Sequence, residues 1–148
     1  MPDANQVTVA KAVVTALNGA PGGTFSQSCT AARAYRKRVK REEIDGVLMT
    51  VIGNGRTFVN AARRISERDV IVAVVLQKAT DPATVADVDA MQLLVQEVAD
   101  FLEFEPQGDA GFLQLENEPI FDPDLLENNQ LFESSILVTY RVQREDDD

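Results

Sequence analysis

The chain has 148 residues, 45% apolar and 26% charged, the size and composition of one folded domain and not of a disordered segment. It has no histidine and one cysteine, Cys29, which removes the commonest general base, the usual zinc and redox-metal ligand sets and any internal disulfide, and suits a reducing cytoplasm. No apolar run approaches the ~20 residues that span a bilayer, and the polar start Met1–Gln6 lacks the basic and apolar regions of a secretory signal.

Val9, Val13, Val14 and Leu17 recur at helical spacing, with Ala10 and Ala16 beside them, and predict a first helix over about residues 7–17. Asn5 or Thr8 is placed to cap it, and Asn18-Gly19 with Pro21-Gly22-Gly23 to stop it. Residues 24–39 read as an extended strand of weak alternation, with Phe25, Gln27, Cys29, Ala31, Arg33 and Tyr35 on one side. It runs into Arg36-Lys37-Arg38 and Lys40-Arg41, and then into the acidic link Glu42, Glu43, Asp45. VLMTVI, residues 47–52, is a short strand that ends at Gly53-Asn54-Gly55, where Asn-Gly signals a hairpin with residues 56–65 as the returning arm. DVIVAVVLQK, residues 69–78, is continuously apolar and β-branched, as expected of a central strand buried on both faces.

Asp81-Pro82 opens a second helix, with Asp81 as cap and proline in the first turn. Val85, Val88, Met91, Val95, Val98 and Leu102 form one stripe, widened by Leu94 and Phe101, and carry the helix over about residues 82–104. After a turn at 105–109, GFLQLENEPI (111–120) alternates as a strand. Residues 121–129, bracketed by Pro119 and Pro123, read as loop, and LFESSILVTYRV (131–142) as the last strand. The charged residues 144–148 have no apolar anchor and read as a mobile acidic tail. The predicted fold class is α+β, in the order α-β-β-β-β-α-β-β, with one domain over 1–148 and an antiparallel or mixed sheet covered by two helices.

Charge is unevenly distributed. Residues 1–96 carry twelve Lys/Arg against nine Asp/Glu, while residues 97–148 carry two against fifteen, within a net charge of −10. Such a chain can attract copies of itself head to tail, since complementary patches steer association and fix register. Acidic tails also serve plain solubility. The basic run Arg33, Arg36, Lys37, Arg38, Lys40, Arg41 suits nucleic-acid phosphates, an acidic protein surface or a solvated strand end. Tyr35 is the one interleaved aromatic, and the chain as a whole is strongly acidic, which weighs against nucleic acid. Arg63, Arg64 and Arg68 form a second basic cluster that would line the same edge if residues 56–65 pair back on the sheet.

The carboxylate pairs Glu103/Glu105, Glu116/Glu118 and Asp122/Asp124 sit beside no nucleophile, phosphate loop or calcium-type loop. GAPGG (19–23) lacks the Gly-Lys-Ser/Thr ending of a P-loop. Cys29 has basic sequence neighbours that would lower its pKa, but no histidine to pair with, and reads as a small strand filler. These features name no catalytic, cofactor-binding or metal residue, and no enzyme; a carboxylate site for magnesium or calcium stays formally open. The candidate interface residues are Arg36, Lys37, Arg38, Arg63 and Arg64 on the basic side and Glu116, Glu118, Asp122 and Asp124 on the acidic side.

The segments VTVAKAVVTALN, FSQSCTAARAYRKRVKREEIDGVLMTVIGNG, RDVIVAVVLQKATD and VADVDAMQLLVQEVADFL resemble small structural proteins of tailed bacteriophages. The shared pattern is a helix, a strand ending in a basic turn, a strand–turn–Arg–strand–Gln-Lys unit and a Val/Leu helix with acidic residues at its start. It covers about residues 7–103. The order resembles the tail terminators of long-tailed phages, and neighbouring neck and head-completion proteins are similar in size and role. The resemblance implies a non-enzymatic virion protein, made in the host bacterial cytoplasm and built into the tail or neck. It would form a ring, a hexamer in the tail terminators, that stops tail growth and meets the tail tube or sheath protein and the neck connector. It implies no cofactor and no membrane. A nucleic-acid-binding module using the Arg/Lys run is the alternative of another class.

Overall fold

The computed structural model describes residues 5–37, 44, 46–62, 65–117 and 120–145, with side chains described outside 54–62, 65–66 and 143–145. The elements are α1 (Asn5–Asn18), β1 (Ala31–Arg33), β2 (Leu48–Ala62), β3 (Ile65–Ala79), α2 (Val85–Leu102), β4 (Gly111–Glu116), α3 (Pro123–Asn129) and β5 (Leu131–Glu145). β-Branched runs make β2, β3 and β5 long, and they pair antiparallel along their length. The sheet order is β1-β2-β3-β5-β4, so β1 and β4 are the two edges. β1 runs parallel to β2, which makes the sheet mixed.

Alternation in the strands decides which face is core. Met49 and Val51, then Val70, Val72, Val74 and Leu76, then Phe132, Ile136, Val138 and Tyr140 join Val9, Val13 and Leu17 of α1 and Met91, Leu94, Val95, Val98 and Leu102 of α2 in one buried cluster. α1 lies against β1, β2 and β3, and α2 against β5. On the second face Thr50, Ala73, Val75 and Gln77 are also buried, while Ile52, Ile71 and Leu137 are half-buried. The centre of β3 is thus buried on both faces, as its unbroken apolar run predicts.

Several expectations need correction. Among the described residues the order is α-β-β-β-α-β-α-β, with five strands and three helices, in place of the expected six strands and two helices. Residues 24–30 are not strand; the strand shrinks to Ala31–Arg33. The polar side chains of the preceding segment bind α2 instead. The Ser26 N–H and hydroxyl donate to Glu97 Oε1 (3.0 and 2.6 Å), Gln27 Nε2 donates to the Ala90 carbonyl (3.2 Å), and the Phe25 ring meets Phe101 edge-on at 5.6 Å.

Gly53-Asn54-Gly55 is no hairpin turn. β2 runs through it, and Asn54 is the extra residue of a bulge between Gly53↔Val72 and Gly55↔Ile71. Glycine suits position 53 because α1 comes close: a Cβ there would stand 3.3 Å from the Gln6 Cβ and carbonyl oxygen. The β2–β3 ladder continues to Ala62↔Ile65.

Residues 123–129, predicted as loop, form α3. Asp122 Oδ1 accepts from the N–H groups of Asp124 and Leu125 (3.0 and 3.3 Å), Pro123 takes the first turn, and Leu126 is buried. α2 begins at Val85, with Thr84 at the N-cap making no side-chain cap bond. Asp81 Oδ1 instead closes a turn before it, accepting from the Ala83 N–H at 2.9 Å. β5 continues past 142, so Arg144 and Glu145 pair with Ser66 and Ile65 as strand residues and not as a tail. Residues 146–148 lie outside the described residues.

Candidate functional site at the two sheet edges

The basic edge is built on β1. The Asn18 side chain at the end of α1 clasps it: Nδ2 donates to the Ala31 carbonyl (2.9 Å) and Oδ1 accepts from the Ala31 N–H (2.8 Å). This amide occupies the outward backbone groups that another strand would seek, so the edge is guarded against strand addition at that residue. Beyond it, the Arg33 guanidinium lies 5.3 Å from the centroid of the Tyr35 ring. Tyr35 is 83% exposed, and Arg33 and Arg36 are exposed.

Of the predicted cations, Lys37 is already engaged within the chain. Its Nζ stands 2.6 Å from Glu133 Oε2, and Gln77 Nε2 donates to Glu133 Oε1 at 2.8 Å. Glu133 and Gln77 alternate away from Phe132 and Leu76, onto the second face. Lys37, four residues past the end of β1, thus reaches that face. Arg38, Arg63 and Arg64 lie outside the described residues. Arg68, grouped with them in the sequence, is 8% exposed and so does not extend an exposed basic surface.

The acidic edge is built on β4 and its flanks. Glu116 is exposed at the end of β4, with Gln114 Nε2 donating to its Oε1 at 3.2 Å. Asp122 and Asp124 are exposed at the start of α3, where both complement the helix dipole, so these two carboxylates also hold a structural post. Glu105 and Asp109 are exposed in the turn before β4. Glu118 lies outside the described residues. Apolar side chains are exposed on the same side: Phe104 (75%), Leu113 on β4, and Leu93 and Ile120 (48% each). Phe104 holds φ +65°, a left-handed conformation uncommon for a bulky residue, with its ring edge-on to Phe112 at 5.5 Å. Leu93 and Ile120, with Asp89, Gln92, Gln96 and Asn117, line a groove of about 480 Å³ between α2 and the β4–α3 connection.

The register relates the two edges. Arg33 pairs with Val51, Val51 with Val74 and Val74 with Ile136, while Glu116 pairs with the next residue, Leu137. Arg33 and Glu116 thus stand one row apart at opposite edges of one sheet. β1 and β4 point in opposite directions, since each successive step from β2 through β3 and β5 to β4 is antiparallel.

Other candidates carry less chemistry. Cys29 is half-buried, and burial, with Glu97 nearby, pushes its thiol pKa above the ordinary value, opposite to the lowering that its basic sequence neighbours suggested. On the second face Arg141 grips Asp69 with two bonds (Nε–Oδ1 2.8 Å, Nη2–Oδ2 3.1 Å) and meets Glu67 at 3.2 Å. Among the described residues no three His, Cys, Asp or Glu side chains are grouped to hold a metal, and no helix is long and apolar enough to cross a membrane. Sequence reasoning did not find the Leu93–Ile120 groove, because the two residues are distant in the chain and neither belongs to a motif. No protein-family model matches the chain, and no curated protein matches it significantly.

Proposed function

We propose that this chain is a non-enzymatic structural subunit of a tailed-bacteriophage virion. In this reading it forms a ring at the head-proximal end of the tail, stops tail growth, and joins the tail tube or sheath protein to the neck. The observation that supports this reading best is the placement of exposed Arg33 and exposed Glu116 at opposite edges of one sheet, one row apart in register. A closed ring of identical copies needs a heterologous contact, in which one surface of each copy meets a different surface of the next. Two unlike edges at nearly equal height provide such surfaces, and a rotation that brings Arg33 and Arg36 toward a neighbour's Glu116 sets attraction in place of repulsion. A hexamer is the ring size that the resemblance to tail terminators suggests. The engagement of Lys37 by Glu133 takes one charge out of the basic run, which favours a protein contact over a phosphate-tracking surface.

The test is to delete the gene from its phage and to label the protein on intact particles by gold-conjugated antibody. The reading predicts tails of uncontrolled length without the protein, and label where tail meets neck. Tails of normal length joined to heads, or label at the distal tip, would reject it.

A further inference from the structure

We propose that Tyr35 of one copy seats in the Leu93–Ile120 groove of a second copy, making this aromatic the anchor of the contact between successive subunits. The inference rests on the ring reading above and names the side chains that make its interface.

Tyr35 is the most exposed large side chain among the described apolar and aromatic residues, at 83%. Arg33 stacked against its ring restrains it before any partner arrives, which lowers the ordering cost of binding. Tyrosine and arginine are the residue types in which interface energy concentrates. At the opposite edge, the groove is lined by apolar Leu93 and Ile120, each half exposed, with the buried Val95, and by the amides of Gln92, Gln96 and Asn117. An aromatic ring with a hydroxyl tip fits that lining, its face on the apolar side chains and its oxygen on the amides. At about 480 Å³ the groove exceeds a single tyrosine side chain and leaves room for part of the stacked guanidinium.

Charge selects a second copy of this chain as the occupant. Asp89 lines the groove, and Glu116 stands at the end of β4 immediately before Asn117, so arriving Arg33 and Arg36 meet carboxylates. Height agrees as well. Asn117 Nδ2 donates to the Ser135 carbonyl (2.8 Å) and the Ser134 hydroxyl (3.0 Å), which fixes the groove's lower wall within two residues of Ile136, the row of Arg33. Asn18 closes the outward backbone of β1 at Ala31, so side chains and not strand pairing dominate the contact.

The test uses the full chain with Cys29→Ser. Ala32→Cys and Gln96→Cys, both at exposed positions beside the ring and the groove, are introduced together with Tyr35, Leu93 and Ile120 left in place and treated with a short bismaleimide, while Tyr35→Ala is compared with wild type by native mass spectrometry over a concentration series. The expected results are a ladder of intermolecular crosslinks from the double-cysteine chain, absent from either single variant, and association weakened about tenfold or more in Tyr35→Ala. A wild type and a Tyr35→Ala chain that assemble equally, without the ladder, would overturn the inference and leave the ring reading standing. A wild type that stays monomeric throughout the series, with no ladder, would overturn both.

Discussion

Tyr140 shows how a residue can be read correctly as core and still carry chemistry that the sequence hides. It falls at an apolar position of β5, and it is fully buried, paired across the sheet with Val70 on one side and Phe112 on the other. Its hydroxyl lies near the Gln107 side chain but makes no hydrogen bond of good geometry. Burial pushes the phenol pKa up to about 12, with Gln107 pulling slightly the other way. The neutral form is favoured in the folded chain, so this contribution to stability is complete below the unfolded pKa of about 10 and is lost as pH rises toward 12. Urea titrations between pH 8 and pH 11.5 should show wild type losing up to about 2 kcal/mol more than Tyr140→Phe over that interval. Parallel pH profiles for the two proteins would show that the buried phenol does not titrate in this way. Lys37 gives a second lesson at this scale. A charge in a basic run looks available in sequence, yet its partner Glu133 lies 96 positions away, and that distance leaves no local signal. Reversing Lys37 would set like charges together beside Gln77, so Arg33 and Arg36 are the cleaner probes of the basic edge.

At the scale of elements, long apolar patterns were legible and short polar signals were not. The stripe from Val88 to Leu102 located α2, and the unbroken run around Val72–Leu76 located the central strand, because burial imposes those periods. Where a short motif has two uses, the tertiary context decided. Asn-Gly at 54–55 serves as a strand bulge beneath α1, since β2 is long enough to continue past it. Asp-Pro occurs twice. At 81–82 it makes a turn ahead of the helix, whereas at 122–123 it starts a helix directly, with Leu126 as the buried anchor. The seven residues of α3 are too few to be helical alone, so the cap matters more than it would on a long helix. Asp122→Ala should lower stability by about 1 kcal/mol, read as a reduced urea midpoint with unchanged slope. It should also loosen the Phe121–Phe132 stack, whose centroids stand 5.3 Å apart, reported by slower-relaxing ring resonances in NMR. No change in midpoint would mean that α3 is held by tertiary packing without its cap.

At the scale of the whole molecule, the sequence shows an acidic last third and a basic run but not where the fold places them. Sheet order decides that. Because β5 inserts between β3 and β4, the acidic segment is carried to the edge opposite β1. Parallel pairing of β1 likewise places Arg33, with the Tyr35 ring against it, at the other edge, although the residues preceding β1 were expected to be strand and are not. The account's central claim is that these unlike edges meet between copies. Two variants test it most directly, measured by native mass spectrometry at matched concentration and salt. One carries Arg33→Glu and Arg36→Glu, which puts carboxylates where the cations stood; the other carries Asp89→Lys and Glu116→Lys, which puts cations at the groove and the end of β4 where those arginines would arrive. The account predicts that each alone fails to assemble, and that mixing them restores multimers with the two chains in equal number. Variants that each assemble as wild type does, or a mixture that stays unassembled while wild type forms rings, would contradict it.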